Sequence, residues 1–221
     1  MPRHPGLGAR RRPVRTGRPL VLPVVATAAL VAGLLVALPT GEPTRDGERA
    51  AVAALQQVAR AQRQLLDSAA IDTDGDGRGE HGYLGELAGG ARLRIDPAGR
   101  LGYAILTEPL LPTELAAVQG AAAEAAGYLV QLYLPGPGGS WIRENDDGGG
   151  AGCGVDADAA ERAFRAYAWP ARADSGARAF CVDERGSVFA HDNADGRYLG
   201  REQPVPPHAL DTDAAAWRPV R

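Results

Sequence analysis

PLVLPVVATAALVAGLLVALPTGEPTRDGERAAVAALQQVARAQRQLLDS, residues 19–68, is the stretch on which the reading of this chain turns. Its first part, Pro19 to Pro39, runs for 21 residues without a charged side chain. At about 1.5 Å per residue a helix of that length covers roughly 30 Å, the hydrocarbon thickness of a bilayer. Its last part, about Asp46 to Ser68, is rich in helix formers and sets Val52, Leu55, Val58, Ala59, Gln62, Leu65 and Leu66 at three- and four-residue steps. Pro39-Thr40-Gly41-Glu42-Pro43 lies between the two parts. The stretch therefore divides into a span and an amphipathic helix that needs a surface to cover.

Working outward, residues 1–18 hold six arginines and no acid, whereas residues 40–221 hold 18 arginines against 27 acids. Positive charge stays on the cytoplasmic side. The reading is a single-pass protein of the bacterial inner membrane, N-terminus cytoplasmic and C-terminal domain extracytoplasmic. A cleaved secretory signal fits the same basic head and apolar run; the length of the run and the lack of a small-x-small site before Pro39 favour the anchor. The expected organisation is a basic tail (1–18), a transmembrane anchor (19–39), a linker (40–45), an α+β domain (46–203) and a Pro-rich C-terminal tail (204–221). A domain so acidic has no electrostatic footprint for nucleic acid, which excludes that partner. All 24 basic side chains are arginine, so a P-loop lysine, a PLP Schiff base and a Ser-Lys dyad are excluded as well.

After the helix comes Ile71-Asp72-Thr73-Asp74-Gly75-Asp76-Gly77-Arg78-Gly79-Glu80. Carboxylates at alternate positions, followed by a glycine that permits a sharp turn, converge as hard oxygen ligands on Ca²⁺. Asp72, Asp74 and Asp76 match positions 1, 3 and 5 of an EF-hand loop and Gly77 matches position 6. Position 12 falls on Tyr83, so Glu80 or Glu86 has to take the place of the usual bidentate glutamate. The candidate Ca²⁺ ligands are Asp72, Asp74, Asp76 and Glu80. An Asp/Gly turn that joins helix to sheet without any ion is the other reading, and both stand.

Further along, ARLRIDPAGRLGYAIL (91–106) reads as a hairpin around Asp96-Pro97-Ala98-Gly99. Glu114 to Ala126 reads as a short alanine-rich helix, Tyr128 to Leu134 as a strand and Ser140 to Gly154 as a mobile loop. Asp156-Ala157-Asp158 starts a helix that Pro170 ends. Ala177 to Val182 and Ser187 to His191 form a hairpin. The fold class expected is α+β: an N-terminal transmembrane helix, then a long amphipathic helix packed on a small antiparallel sheet.

The two cysteines, Cys153 and Cys181, both fall on the side read as outside the membrane, where disulfides persist. Pairing is expected, worth roughly 3.5 kcal/mol in the chain-entropy model; two free thiols are the alternative. Asp174-Ser175-Gly176 echoes a protease nucleophile segment without its flanking glycines. His4, His81, His191 and His208 are scattered, and GxSxG, HExxH and CxxC are absent. His191-Asp192-Asn193-Ala194-Asp195 reads as a solvated loop in preference to a metal site. The chain is taken as a non-enzyme.

The stretches AVAALQQVARAQRQLLDSAAIDTDGDGRGEHGYLGELAGG, GYLVQLYLPG, VDADAAERAFRAYAWP and RAFCVDERGSVFAHDN, the last followed by a Tyr-x-Gly segment, together resemble type IV pilin-like and type II secretion pseudopilin (prepilin-like) envelope proteins over roughly residues 50–200. The resemblance implies a structural subunit with pilin-like or secretion-platform subunits as partners. It also implies a hydrophobic helix held in the membrane and a small sheet domain displayed outside, and Ca²⁺ binding is known among pseudopilins. A second reading is an anchored extracytoplasmic Ca²⁺-dependent ligand-binding module with no filament role. A third is an exported hydrolase.

Overall fold

The computed structural model describes residues 43–220. Helix α1 runs Pro43–Ser68. Pro43 stands in the first turn, where a missing amide donor leaves no helical bond unmade. Ala51, Ala54, Leu55, Val58, Ala61 and Leu65 are its buried line. Ser68 Oγ donates to Leu65 O at 2.8 Å, and Ala69 then enters the left-handed region (φ 47°), which ends the helix.

Eight strands form one antiparallel sheet: β1 (Val118–Gln119), β2 (Ala122–Ala125), β3 (Tyr128–Pro135), β4 (Trp141–Arg143), β5 (Arg165–Pro170), β6 (Ala179–Val182), β7 (Val188–His191) and β8 (Arg218–Pro219). The order is β1-β2-β3-β5-β6-β7-β8. β4 pairs with β3 through Leu134↔Ile142 and its neighbours, beyond the residues that β2 occupies. Among the described residues there are also three single-turn α-helices, α2 (Leu84–Leu87), α3 (Ala157–Ala160) and α4 (Ala209–Thr212), and two 3₁₀ turns.

All eight residues of β3 are buried, which requires cover on both faces of the sheet. Side chains alternate across a strand, and the two hydrophobic clusters follow that alternation. Tyr128, Val130, Leu132, Leu134, Ala166, Ala168, Phe180 and Val182 pack with α1. Leu129, Tyr133, Tyr167, Trp169, Ala179 and Cys181 pack under Tyr198, Val205, Ala209 and Trp217 of the C-terminal segment. That segment, expected as an irregular tail from residue 204, is instead the second cover. Tyr167 donates its hydroxyl to Pro207 O at 2.8 Å and Trp169 its indole N–H to Gly200 O at 2.7 Å, which pins it in place.

Several expectations are corrected. The architecture is dominated by an eight-stranded sheet where a small one was expected. Among the described residues no helix is long and apolar enough to cross a membrane. The transmembrane, pilin-like fold class and the single-pass inner-membrane localisation, with its extracytoplasmic domain, are therefore not supported. The basic tail and the anchor, residues 1–39, lie outside the described residues. α1 begins at Pro43, within the segment read as a linker. The expected Cys153–Cys181 disulfide is absent: both thiols are free and buried. The reason is topological, since Cys153 belongs to the cluster on the α1 face and Cys181 to the cluster on the opposite face.

Two local readings also change. Glu114 to Ala126 forms a 3₁₀ turn (Thr113–Leu115), then β1 and β2; Ala121 (φ 62°) and Ala126 (φ 50°) take left-handed turn conformations that no helix interior permits. The helix expected up to Pro170 stops after α3, and the chain continues as β5. There Ala166 and Ala168 face α1 while Tyr167 and Trp169 face the other layer.

Candidate metal centre

The Asp/Gly loop is closed at its base by backbone and side-chain bonds. Glu80 N donates to Ile71 O at 2.9 Å, and Glu80 Oε1 accepts from both the amide and the hydroxyl of Thr73. α1 holds the following turn through Gln62, which is fully buried. Its Nε2 donates to Gly82 O at 2.7 Å and its Oε1 accepts from Gly82 N at 3.0 Å. His81 N donates to Ala160 O at 3.0 Å, which joins the loop to α3.

Above this base the aspartates organise the loop backbone. Asp72 accepts from Gly75 N (2.8 Å) and Gly77 N (3.0 Å), one bond on each carboxylate oxygen. Asp74 accepts from Asp76 N at 3.2 Å and Asp76 from Arg78 N at 2.8 Å. Gly75 (φ 78°) and Gly77 (φ 87°) supply the left-handed turns these bonds need.

Ligand oxygens of Asp72, Asp74 and Asp76 come within 4.8 Å of one another, and Asp74 shares a second such set with Asp158 and Glu161, in and just after α3. Oxygens about 2.4 Å from a common Ca²⁺ are at most about 5 Å apart. The spacing and the all-carboxylate donor set therefore fit a hard divalent cation. Arg78 lies between the sets, 3.3 Å from Glu161 and 3.7 Å from Asp76. Asp156 caps α3 by accepting from Ala159 N at 3.0 Å, which fixes where Asp158 and Glu161 emerge.

Of the four ligands expected from sequence, the structure brings Asp72, Asp74 and Asp76 together and sends Glu80 elsewhere. Glu80 is 1% exposed and its Oε2 lies 3.5 Å from Arg94 Nη1. Asp158 and Glu161 were missed. Their only sequence signal was a helix start, which says nothing of its distance from residue 74.

Glu80 and Glu86, expected at the ion, belong instead to a buried charged cluster that the sequence did not assemble. Arg94, Glu80, Glu86 and Glu144 are all buried. Glu86 accepts from Arg94 Nε at 3.0 Å and from Tyr83 N at 2.8 Å. Glu144 Oε2 accepts from Gly85 N (3.1 Å) and Gly149 N (3.0 Å), while its Oε1 has no hydrogen-bond partner among the described residues. Burial pushes the Glu144 carboxyl up to about 8, which keeps it protonated at neutral pH. Burial likewise pulls His81 down to about 4, so the ring is neutral.

The remaining flagged residues stay apart from the loop. His191 is buried and its Nδ1 accepts from Asn193 N at 2.9 Å. Ser175 Oγ is buried without a hydrogen-bond partner among the described residues. Comparison of the chain with protein-family models, with curated proteins and with solved structures found no match.

Proposed function

We propose that this chain is a non-enzymatic, calcium-dependent binding module in which the ion ties the loop 71–80 to α3. The observation that carries the reading is the position of Asp74. It belongs to two carboxylate sets at once, one from its own loop and one from a chain segment more than eighty residues later. A hard cation there would draw Asp72, Asp74 and Asp76 toward Asp158 and Glu161, and water would complete the coordination in place of the absent position-12 glutamate. Gly75 and Gly77 have open space around them, so the loop can adjust without displacing the core. The non-enzymatic part of the reading is supported by Glu80 and Glu86, which flank Arg94, and by His81, which lies against Gln62.

Calorimetric and thermal-shift titration of the protein with Ca²⁺, then with Mg²⁺, tests this. Ca²⁺ is expected to bind with one-to-one stoichiometry and raise the melting temperature, with Mg²⁺ weaker because its shorter bonds need a tighter cage. Asp74→Asn should weaken Ca²⁺ at least tenfold and Asp147→Asn should leave it unchanged. No heat and no shift at millimolar Ca²⁺, or equal binding by the Asp74 variant, overturns the reading.

A further inference from the structure

On the sheet face turned away from α1, a cavity of about 360 Å³ opens between β3, β5 and the segments that carry Arg143, Asp146 and Arg201. Its floor is apolar and aromatic with one polar side chain: Gln131, Tyr133 and Trp169 all line it and all are at least nine-tenths buried. Its rim is charged and exposed. The floor is rigid, because the Trp169 indole is held on Gly200 O and the Tyr133 hydroxyl lies 2.7 Å from Gln131 Oε1 and 3.0 Å from Val205 O.

Two features point to a ligand. Gln131 has two polar ends and one partner: its carbonyl oxygen meets Tyr133, and its amide nitrogen has none among the described residues. Whichever way round the amide is set, one end is left at the cavity floor for water or a ligand to take. Arg201 is the second feature. Its Nη1 is spent on the carbonyls of Gln119 and Ala122, but it has no carboxylate partner among the described residues. Among the described residues Arg143 pairs only with the exposed Asp146, at 2.8 Å. Two guanidiniums against one carboxylate give the mouth a net positive charge in a protein that is acidic as a whole.

We infer that this cavity binds a small organic acid bearing hydroxyl groups, its carboxylate at Arg201 and Arg143 and a hydroxyl on Gln131. Arginine forks match a carboxylate in two parallel bonds. The single buried amide supplies the orientation that such pockets draw from a few placed polar groups. The volume admits one sugar ring or a short hydroxy acid. The site shares no residue with the Asp/Gly loop and does not depend on the metal reading.

Intrinsic tryptophan fluorescence, with Trp169 in the cavity floor, tests this with three probes: D-galacturonate, tartrate and neutral D-galactose. A saturable change with either acid, and with galactose at least tenfold weaker, supports the inference; which acid binds tells an acidic sugar from a hydroxy acid. Arg201→Gln should weaken the acid at least tenfold, and so should Arg143→Gln, an exposed position that reports if the first variant is poorly folded. Gln131→Leu should lower affinity and narrow the preference between acid and galactose. No saturable change up to tens of millimolar acid, galactose binding as well as the acids, or unaltered affinity in both arginine variants overturns it.

Discussion

Arg94 Nε donates to Glu86 Oε1 at 3.0 Å, and both side chains are fully shielded from solvent. The same guanidinium gives Nη2 to His81 O at 2.8 Å, so it ties the turn after the Asp/Gly loop to the start of α2. Removing one member of a buried pair costs about 3–5 kcal/mol, because the other charge is left without compensation. Arg94→Met is therefore expected to lower stability by about that amount in equilibrium urea denaturation. Glu86→Gln, which keeps an acceptor for Tyr83 N, should cost less. Equal costs for the two, or none, would show that the pair is not what holds this turn.

The thiols give a second prediction. Cys153 and Cys181 face opposite layers of the sheet, so no side-chain motion within the native fold can join them. Burial pushes the Cys181 thiol up to about 12, far from the thiolate that reacts with disulfide reagents. The native protein should titrate slowly with such a reagent, Cys181 last, and the denatured protein should give two thiols. A native mass that is lower by two hydrogens would contradict the fold at this point.

Glu144 gives a pH dependence whose sign can be worked out. Burial raises its carboxyl from the ordinary value of 4.5 to about 8. Between those values the unfolded chain has given up this proton while the folded chain keeps it. Stability from this group is therefore full below about 4.5 and falls as pH rises toward about 8. Glu144→Gln carries no such proton. The difference in urea midpoint, variant minus wild type, should grow in the variant's favour through this window and level off above it. Parallel midpoint curves would mean that Glu144 is ionised in the folded state.

How much of this was legible in the residues depends on whether the signal was local. The β6–β7 hairpin reads directly, because Asp183-Glu184-Arg185-Gly186 carries turn chemistry and Phe180, Val182 and Val188 supply the strand residues. β5 does not: after Arg165 in RAYAWP, Ala166 and Ala168 are apolar on one face and Tyr167 and Trp169 on the other, so burial on both sides erases the alternation. The three loop aspartates were visible as a spacing motif. Asp158 and Glu161 were not, since their approach to Asp74 depends on β3 and β5 setting α3 beside the loop. The free cysteines were misread for the same reason: facing is a property of register, which neither residue's neighbours encode. Gln131 and Arg201 likewise come to one cavity only in the folded chain.

Three glycines separate crowding from backbone strain. A Cβ on Gly79 would come 2.2 Å from Leu66 O, a backbone atom at the end of α1 that cannot swing aside. Gly79→Ala must therefore push the loop away from the helix, and overpacking of this kind costs about 1–3 kcal/mol. Gly75 has no atom near its missing Cβ but holds φ 78°, so Gly75→Ala is charged only for the left-handed conformation, about 1–2 kcal/mol. Gly154 has neither constraint, and Gly154→Ala should stay within about 0.5 kcal/mol of the parent. The two costly variants then differ in kind. Crowding at Gly79 disturbs the hydrogen bonds of Glu80 at the loop base, so hydrogen exchange should quicken at the amides of Thr73 and Glu80. Strain at Gly75 acts above the base, so those two amides should stay protected while Gly75 N and Gly77 N, the donors to Asp72, exchange faster. Uniform loss of protection across both variants would mean that loop and base unfold as one unit.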